Sequence, residues 1–286
     1  MQVVKLYLIG HPVKHSVSPR IYARAFKELG INATYDLIDV DEQGLPAIIA
    51  KLRGSEDCLG FNVTIPHKVR VKHLLDSIEG PAQVIGAVNT VVRLGEGLAG
   101  INTDWIGFRK ALKRVAGTAT YGRALIIGAG GAGRAAAYGL LDMADELIIV
   151  SRGGVTARSL AKDAVTWGFR RAVGLKASPK TCVWAALRSD LIVNASPVGM
   201  VGHEGIPVPK EGLAGGTVVL DMVYNPIETN LLRNAREAGC VTIDGLWMLV
   251  YQANENLREW FGVEASVDAL REEGLKALRA GTAEQG

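Results

Sequence analysis

The fold is decided by the stretch Ala124-Leu125-Ile126-Ile127-Gly128-Ala129-Gly130-Gly131-Ala132-Gly133-Arg134-Ala135-Ala136. Four apolar residues predict a buried parallel strand, and an alanine-rich helix follows the glycines. The G-x-G-x-x-G pattern allows a tight turn, close backbone approach to a pyrophosphate, and packing of helix on strand. The unpaired N–H groups at the helix start favour an anion. The stretch therefore predicts a dinucleotide-binding turn formed by Gly128, Ala129, Gly130, Gly131, Ala132 and Gly133.

A second apolar strand, Glu146–Val150, follows at the distance expected for a β-α-β unit and supports this interpretation. Ser151 and Arg152 come next, where NAD-binding chains usually carry an acidic residue for the ribose 2′-hydroxyl. An arginine can instead donate two hydrogen bonds to a 2′-phosphate, and the serine hydroxyl can add another. We therefore expect NADP as the cofactor. The alternative is a doubly wound fold whose glycines serve packing alone, with Arg152 solvated.

Length and composition restrict the class of protein. A chain of 286 residues suggests about two domains, and 48% apolar with 21% charged residues is ordinary for a globular protein. A net charge of +3 without a run of basic residues gives no support for a nucleic-acid partner. The sequence has neither a membrane-spanning apolar run nor a signal-peptide pattern. Because three scattered cysteines predict neither disulfides nor a zinc site, we expect a cytoplasmic protein.

The whole chain predicts a two-domain α/β architecture. Residues 1–103 alternate strand and helix without a glycine-rich phosphate loop, and this pattern predicts an N-terminal α/β substrate domain. Residues 104–245 form the predicted Rossmann-type domain. Its strands are expected at Leu125–Ile127, Glu146–Val150, Leu191–Asn194, Val218–Asp221 and Val241–Ile243. Residues 246–286 are helical by periodicity and are expected to return to the first domain.

Three local features of the N-terminal domain are also predicted. Ser18 is expected to cap a helix that begins at Pro19, because serine is a favoured N-cap and proline a favoured first residue. Val69–Leu75 is helical in character, and Val88–Val92 is predicted as a strand.

Candidate catalytic residues lie in the N-terminal domain and at its boundary. Hydride transfer to a carbonyl leaves an alkoxide that needs a proton donor. Lys68 follows a strand end and Pro66 in a region with few other charges, and its ammonium group can donate that proton. Asp104, at a predicted helix start, would form a pair with Lys68. A surface lysine and a helix-capping aspartate are the alternative interpretations.

Neutral polar residues accompany this pair. Ser16 and Ser18 lie at a helix start, where two hydroxyls and exposed N–H groups can hold a carboxylate. The alternative is N-capping alone. Thr64, Asn89 and Gln252 would suit a substrate rich in hydroxyls, although each residue type is more often structural. The histidines show no metal-ligand spacing, and we assign no metal.

A series of motifs runs along almost the whole chain. In order they are Ser16–Pro19, Asn62–Lys68, Gly86–Thr90, Asn102–Asp104, Gly128–Ala132, Asn194–Met200, Asp221–Pro226 and Gly245–Gln252. In this combination the chain resembles the shikimate dehydrogenase family. The glycine turn alone is generic, whereas its combination with the motifs around Lys68 and Asp104 is highly specific.

The resemblance implies reversible NADPH-dependent reduction of 3-dehydroshikimate to shikimate, in chorismate and aromatic amino-acid biosynthesis. It implies that Lys68 transfers the proton with Asp104 as its partner. The implied substrate contacts are Ser16, Ser18, Thr64, Lys68, Asn89, Asp104, Tyr224 and Gln252. The implied cofactor contacts are the glycine turn, Ser151, Arg152, Met222 and Gly245. The family also implies a monomer or homodimer that acts on small molecules. The charge pattern and the lack of a long apolar run give no reason to expect a nucleic-acid or membrane partner.

Some positions differ from the family pattern, and two alternatives stay open. The family usually has His-Asn where this chain has Tyr22-Ala23, and often threonine at Gly153. One alternative is a quinate/shikimate dehydrogenase that uses NAD or both cofactors, although the two serines and Arg152 favour shikimate and NADP. The other is a cofactor-binding regulator without catalysis, which would need neither Lys68 nor Asp104, so the presence of both argues against it.

Overall fold

A computed structural model describes residues 3–117 and 120–283 of the chain. The strands in these residues are β1 (Val4–Gly10), β2 (Ala33–Asp39), β3 (Cys58–Val63), β4 (Ser77–Ile78), β5 (Thr90–Leu94), β6 (Gly97–Ile101), β7 (Tyr121–Ile127), β8 (Ala144–Ser151), β9 (Arg171–Lys176), β10 (Leu191–Asn194), β11 (Val218–Asp221) and β12 (Val241–Ile243). The α-helices there are α1 (Ser18–Leu29), α2 (Leu45–Arg53), α3 (Pro81–Ile85), α4 (Asp104–Ala116), α5 (Gly131–Gly139), α6 (Val155–Trp167), α7 (Pro179–Ala186), α8 (Asn230–Glu237), α9 (Gly245–Phe261) and α10 (Val267–Ala283). Short 3-10 helices lie at Val71–Leu74 and Lys210–Gly212.

Two compact units make up the chain. The first unit is Met1–Thr103 with Val250–Gly286, and the second unit is Asp104–Leu249. Each unit has its own six-stranded sheet within the described residues. The predicted α/β fold class, with C-terminal helices in the first unit, is confirmed. None of the helices described is both long and apolar enough to cross a bilayer.

The sheet of the second unit is parallel, with the strand order β12-β11-β10-β7-β8-β9. From β7 the chain adds β8 and β9 on one side, and then β10, β11 and β12 on the other. This is the doubly wound order of a Rossmann-type domain, in which ligands bind beyond the carboxyl ends of the strands where the order reverses. That position lies between β7 and β10, and β7 carries the apolar residues from which the fold is predicted.

Strand β9 was not among the strands that the sequence predicts. It lies at the sheet edge, is only partly buried, and has charged residues at both ends, so it lacks a continuous apolar run. Gly174 stands in its middle because α6 approaches closely. A Cβ on Gly174 would lie 2.3 Å from the carbonyl carbon of Ala157. Packing against a helix thus forms this strand without a strong sequence signal.

The sheet of the first unit is mixed, with the order β2-β1-β3-β5-β6-β4. Strands β1, β2 and β3 are parallel, whereas β5 runs antiparallel to both β3 and β6. The C-terminal helices pack onto this unit: the Trp260 indole N–H donates to the Val91 carbonyl at 3.1 Å, and Arg20 in α1 forms an ion pair with Glu273 in α10. The strand predicted at Val88–Val92 begins instead at Thr90, and the Val88 N–H donates to the Lys68 carbonyl and not to a neighbouring strand.

Carbonyl groups around the turn after α2 share one charged side-chain donor. The partly buried guanidinium of Arg93 in β5 donates to four carbonyl oxygens at 2.7–3.2 Å, those of Leu52, Arg53, Ser55 and Cys58. The last carbonyls of a helix have no partner within the helix, so Arg93 acts as a cap supplied by the sheet.

The predicted helix over Val69–Leu75 is reduced to the 3-10 turn Val71–Leu74.

Replacing Arg93 by methionine is expected to lower the free energy of unfolding by about 3 kcal/mol, because several partly buried carbonyls lose a charged donor. Urea denaturation of the full-length chain measures this loss. Arg70→Met is the control, since Arg70 forms an exposed ion pair with Glu42 and should contribute less than about 1 kcal/mol. Equal losses in the two variants would contradict the capping role of Arg93.

Candidate active site

Ser16 and Ser18 lie in the first unit, in and just after the loop between β1 and α1. The Ser18 N–H donates to the Ser16 hydroxyl oxygen at 3.2 Å, and the Ser16 N–H donates to the Val13 carbonyl at 2.9 Å. The prediction that Ser18 caps α1 is wrong. Val17 holds the N-cap position in a helical conformation without a side-chain cap, so the extended backbone that a serine cap uses is absent at this end of α1. The Ser16 hydroxyl oxygen accepts the hydrogen bond from the Ser18 N–H instead.

The serine loop is held in place by Asp39 at the end of β2. The Asp39 carboxylate accepts hydrogen bonds from the Val13 N–H at 3.3 Å and from His11 Nδ1 at 2.6 Å. The hydrogen bond from His11 keeps the pKa of Asp39 below its usual value. The backbone N–H of His11 donates to the Ile65 carbonyl at 2.9 Å. The loop is therefore tied both to β2 and to the turn that follows β3.

Thr64 and Lys68 lie in that turn. The Thr64 N–H donates to the Ile9 carbonyl at 2.9 Å, which places the ends of β1 and β3 side by side. The His67 N–H donates to the Thr64 carbonyl at 2.9 Å, and the Lys68 carbonyl accepts from the Val88 N–H at 2.7 Å. The main chain of Lys68 is thus held firmly, and its side chain is partly exposed.

A buried cluster of hydrogen-bonded side chains lies in the same unit, and we call it the amide cluster. Its members are Tyr22, Tyr35, Asn62, Asn89, Thr90, Thr103, Gln252 and Asn256, each at most 8% exposed. The predicted substrate residues Asn89 and Gln252 meet in it, with Asn89 Nδ2 donating to Gln252 Oε1 at 3.2 Å. No role was predicted from the sequence for the other members. The available signal was that Asn256 follows Gln252 by one helical turn and therefore shares its face.

Asp104 is the first residue of α4, as the sequence predicts, and it belongs to the second unit. It is 4% exposed, so its carboxylate is buried at the positive end of a helix dipole. The residue before it, Thr103, belongs to the amide cluster. The pairing of Asp104 with Lys68 stays a prediction.

The glycine turn has the geometry that a pyrophosphate requires. Gly128 has φ +103°, and a Cβ there would lie 2.6 Å from the Ala195 carbonyl oxygen. A Cβ on Gly133 would lie 2.1 Å from the Gly128 carbonyl oxygen, so the helix packs closely on the strand. Around Gly130, by contrast, the described residues leave the Cβ position open to 4 Å. Because α5 begins at Gly131, its N–H groups face this opening, and the turn fits a dinucleotide.

The turn after β8 carries the residues predicted to select the cofactor. The Ser151 hydroxyl oxygen accepts from the Ala157 N–H at 3.2 Å and from the Thr156 hydroxyl at 3.0 Å, which anchors the turn to α6. Arg152 is exposed. Arg158 Nη1 lies only 2.9 Å from the Cβ position of Gly154, so a second guanidinium covers the same turn. Two guanidinium groups at one turn fit a 2′-phosphate.

Met222 and Gly245, predicted near the nicotinamide, contact each other. A Cβ on Gly245 would lie 2.3 Å from the Met222 carbonyl oxygen, so only glycine allows this approach. The Met222 N–H donates to the Asn194 carbonyl at 2.9 Å, beyond the ends of β10 and β11. Tyr224 follows two residues later and is partly buried. These residues therefore lie at the carboxyl edge of the parallel sheet.

Asp221, at the end of β11, organises this edge. Its fully buried carboxylate accepts hydrogen bonds from Asn194 Nδ2 at 2.8 Å, the Val223 N–H at 3.0 Å and the Thr229 hydroxyl at 2.7 Å. Burial raises the pKa of Asp221 to about 6, although the three donors oppose the shift. One side chain thus joins the loop after β11 to β10 and to the start of α8.

Known proteins resemble this chain over nearly its whole length. Residues 8–91 match the family model described as the shikimate dehydrogenase substrate binding domain. Over 277 residues the chain is 43% identical to the shikimate dehydrogenase (NADP(+)) of Pyrococcus furiosus, covering 96% of this chain and 97% of that protein. The shikimate 5-dehydrogenase of Thermus thermophilus, solved in complex with NADP(H) and shikimate, is 34% identical with a TM-score of 0.85, covering 96% and 100% of the two chains. The quinate dehydrogenase of Corynebacterium glutamicum, solved in complex with NAD, is 32% identical with a TM-score of 0.86, covering 96% and 99%.

Proposed function

The chain belongs to the shikimate dehydrogenase family, and from this premise we propose that it reduces 3-dehydroshikimate reversibly to shikimate with NADPH. It is an NADP-dependent oxidoreductase that acts on a CH–OH group. The main support for the proposal is the 43% sequence identity to the Pyrococcus furiosus enzyme, which covers 96% of this chain. The glycine turn and the pair Asn89–Gln252 support it, since the turn suits a dinucleotide and the two side-chain amides suit a polyhydroxylated acid.

We assign substrate binding to residues 1–103 with the helices of residues 246–286. The hydroxyls of Ser16 and Ser18 and the N–H groups at the start of α1 hold the substrate carboxylate. Thr64, Asn89 and Gln252 hold the ring hydroxyls. Tyr224 and Asp104 are further predicted contacts of the substrate.

Lys68 moves the proton in this proposal. Its ammonium group donates to the developing alkoxide during reduction and is regenerated during oxidation. The fixed main chain of Lys68, with its carbonyl bonded to Val88, keeps the base of the side chain at the end of β3. The flexible four-carbon side chain then extends the ammonium group toward the substrate.

NADP binding belongs to residues 104–245, and the nicotinamide supplies or takes the hydride. The turn from Gly128 to Gly133 holds the pyrophosphate, Ser151 and Arg152 hold the 2′-phosphate, and Met222 with Gly245 contacts the nicotinamide end. The guanidinium of Arg158 is suited to join Arg152. Among the residues that family resemblance implies for the cofactor, Ala129, Gly131 and Ala132 act through their backbone.

Arg152→Gln is expected to raise the KM for NADP by about 10-fold or more, because a charge-assisted hydrogen bond to the 2′-phosphate is lost. The KM for NAD should stay within about twofold, since NAD carries no such phosphate. Arg188→Gln is the matched control: Arg188 is also exposed, but it lies on the turn before β10, at the amino ends of the parallel strands, whereas Arg152 follows the carboxyl end of β8. A variant Arg152→Gln with an unchanged ratio of the two KM values would contradict this assignment.

A quinate/shikimate dehydrogenase that uses NAD is the second candidate, favoured by the similarity to a quinate dehydrogenase solved with NAD. Steady-state oxidation of shikimate and of quinate, each with NADP and with NAD, separates the two. We expect the largest kcat/KM for shikimate with NADP. Comparable values for quinate or for NAD would instead favour the second candidate.

The remaining proposals concern the pathway, the oligomeric state and the cellular location of the enzyme. We propose a place in aromatic amino-acid biosynthesis and a monomer or homodimer with small-molecule ligands. A cytoplasmic location suits the thiols of Cys58, Cys182 and Cys240, which form no disulfide.

A further inference from the structure

The amide cluster contains several side-chain amides, and each could in principle point its oxygen or its nitrogen either way. Hydrogen-bond partners decide between the two directions. Two backbone groups at the edge of the cluster can each play only one role, because an N–H only donates and a carbonyl only accepts. They therefore determine the direction of every amide connected to them.

The first backbone group is the N–H of Thr103, which donates to the Asn89 side-chain oxygen at 2.7 Å. The other end of Asn89 must then be its NH2 group. This group donates to the Thr103 hydroxyl at 2.9 Å and to the Gln252 side chain at 3.2 Å. Gln252 consequently presents its carbonyl oxygen, and not its nitrogen, to Asn89.

The second backbone group is the carbonyl of Asn89, which accepts from Asn62 Nδ2 at 3.1 Å. The Asn62 oxygen must therefore accept, and it receives the hydroxyls of Tyr22 at 3.1 Å and Tyr35 at 2.7 Å. The single proton of Tyr22 is used in this bond. Its oxygen accepts from Asn256 Nδ2 at 2.8 Å, which fixes the direction of Asn256.

Asn256 connects the hydrogen bonds of Asn62 and Tyr22 to Gln252 Oε1, the same atom that Asn89 contacts. Its NH2 group also donates to Gln252 Oε1 at 3.2 Å, while its oxygen accepts from the hydroxyls of Thr90 and Thr103 at 2.8 Å each. Asn256 is fully buried, so water does not replace these partners. The Gln252 oxygen thus accepts from two amide N–H groups.

We propose that Asn256 and Tyr22 are positioning residues that turn the NH2 group of Gln252 away from the amide cluster and toward the substrate. Gln252 then offers hydrogen-bond donors to an oxygen that accepts, a carboxylate or hydroxyl oxygen. The reverse direction would place the Gln252 nitrogen against the NH2 groups of Asn89 and Asn256, leaving buried donors unpaired. This inference rests on the proposed function, in which Gln252 contacts the substrate.

Three substitutions in the full-length enzyme test the proposal. Asn256→Asp replaces the NH2 group by an oxygen that faces the Gln252 oxygen, and we expect the KM for shikimate to rise about 30-fold. Tyr22→Phe removes the acceptor that orients Asn256, and we expect a rise of about fivefold. Tyr35→Phe removes a hydroxyl from the same Asn62 oxygen without touching Asn256, so the KM should not change. The KM for NADP and the thermal midpoint are measured in parallel.

The outcomes separate this inference from the function on which it rests. A rise in the KM for shikimate in Asn256→Asp and Tyr22→Phe, with the KM for NADP unchanged and Tyr35→Phe like wild type, supports it. If Asn256→Asp fails to fold, Tyr22→Phe against Tyr35→Phe decides. A lower thermal midpoint with an unchanged KM for shikimate would show a purely structural role and overturn the inference. A wild-type enzyme without shikimate turnover would overturn the proposed function, and the inference with it.

Discussion

Replacing Lys68 by methionine is expected to lower kcat for shikimate oxidation about 10³-fold, because proton transfer by a positioned side chain contributes that order of rate. Methionine keeps an unbranched stem of similar length but has no proton to give or take. Binding of NADP, measured by fluorescence titration, should not change. The ratio of kcat in the variant and the wild type is the quantity to measure.

Lys72→Met is the matched control for this substitution. Lys72 lies four residues further along, on the 3-10 turn Val71–Leu74, and is also partly buried. Its loss removes the same charge but no assigned proton donor, so kcat should stay within about twofold of wild type. A Lys68→Met enzyme that keeps more than about a tenth of the wild-type kcat would contradict the role given to Lys68. The proton would then come from another group.

Asp221→Asn is expected to change how the stability of the protein depends on pH. The pKa of Asp221 is raised from 3.8 to about 6 by burial, so the folded state binds this proton more tightly than the unfolded state. The corresponding stabilisation is present below pH 3.8 and is lost as the pH rises through 6. The wild type loses about 3 kcal/mol in this way, whereas asparagine does not titrate.

The measurement is the free energy of unfolding of both proteins between pH 4 and pH 7. Asparagine also alters the hydrogen bond with Thr229, which adds a difference that does not vary with pH. The pH-dependent part is therefore the readout: the variant should gain about 2.4 kcal/mol on the wild type between pH 4 and pH 7, since part of the full change lies below pH 4. A constant difference across this range would mean that Asp221 is ionised throughout, held by its three donors.

The second unit could be predicted well from sequence because its signals are local. An apolar run, three spaced glycines and an alanine-rich helix are enough to indicate β7, the phosphate turn and α5. Strand β9 escaped prediction because its pairing with β8 and its contact with α6 are tertiary, and Gly174 weakens its intrinsic strand preference. The predicted helix cap at Ser18 was wrong for a local reason: Val17 takes the N-cap position, and the Ser16 hydroxyl oxygen accepts a hydrogen bond from the Ser18 N–H.

The amide cluster could not be predicted because its members are ordinary polar residues far apart in the chain. Asn256 meets Tyr22 across 234 positions and Thr90 across 166. Tyr22, noted in the sequence only as a difference from the family's usual histidine, stacks on Tyr35 with ring centroids 4.0 Å apart and joins Asn62 to Asn256. Its burial raises the pKa of the Tyr22 hydroxyl, which keeps that group neutral as a donor and acceptor.

Hydride transfer from NADPH to 3-dehydroshikimate can be tested directly by isotope labelling. The wild-type enzyme is mixed with 3-dehydroshikimate and NADPH that carries deuterium at both C4 positions, and the shikimate formed is analysed by mass spectrometry and NMR. We expect one deuterium for each shikimate molecule, bound at the former carbonyl carbon. Shikimate without deuterium, or NADPH that is not consumed, would contradict the claim that this chain transfers hydride between NADPH and 3-dehydroshikimate.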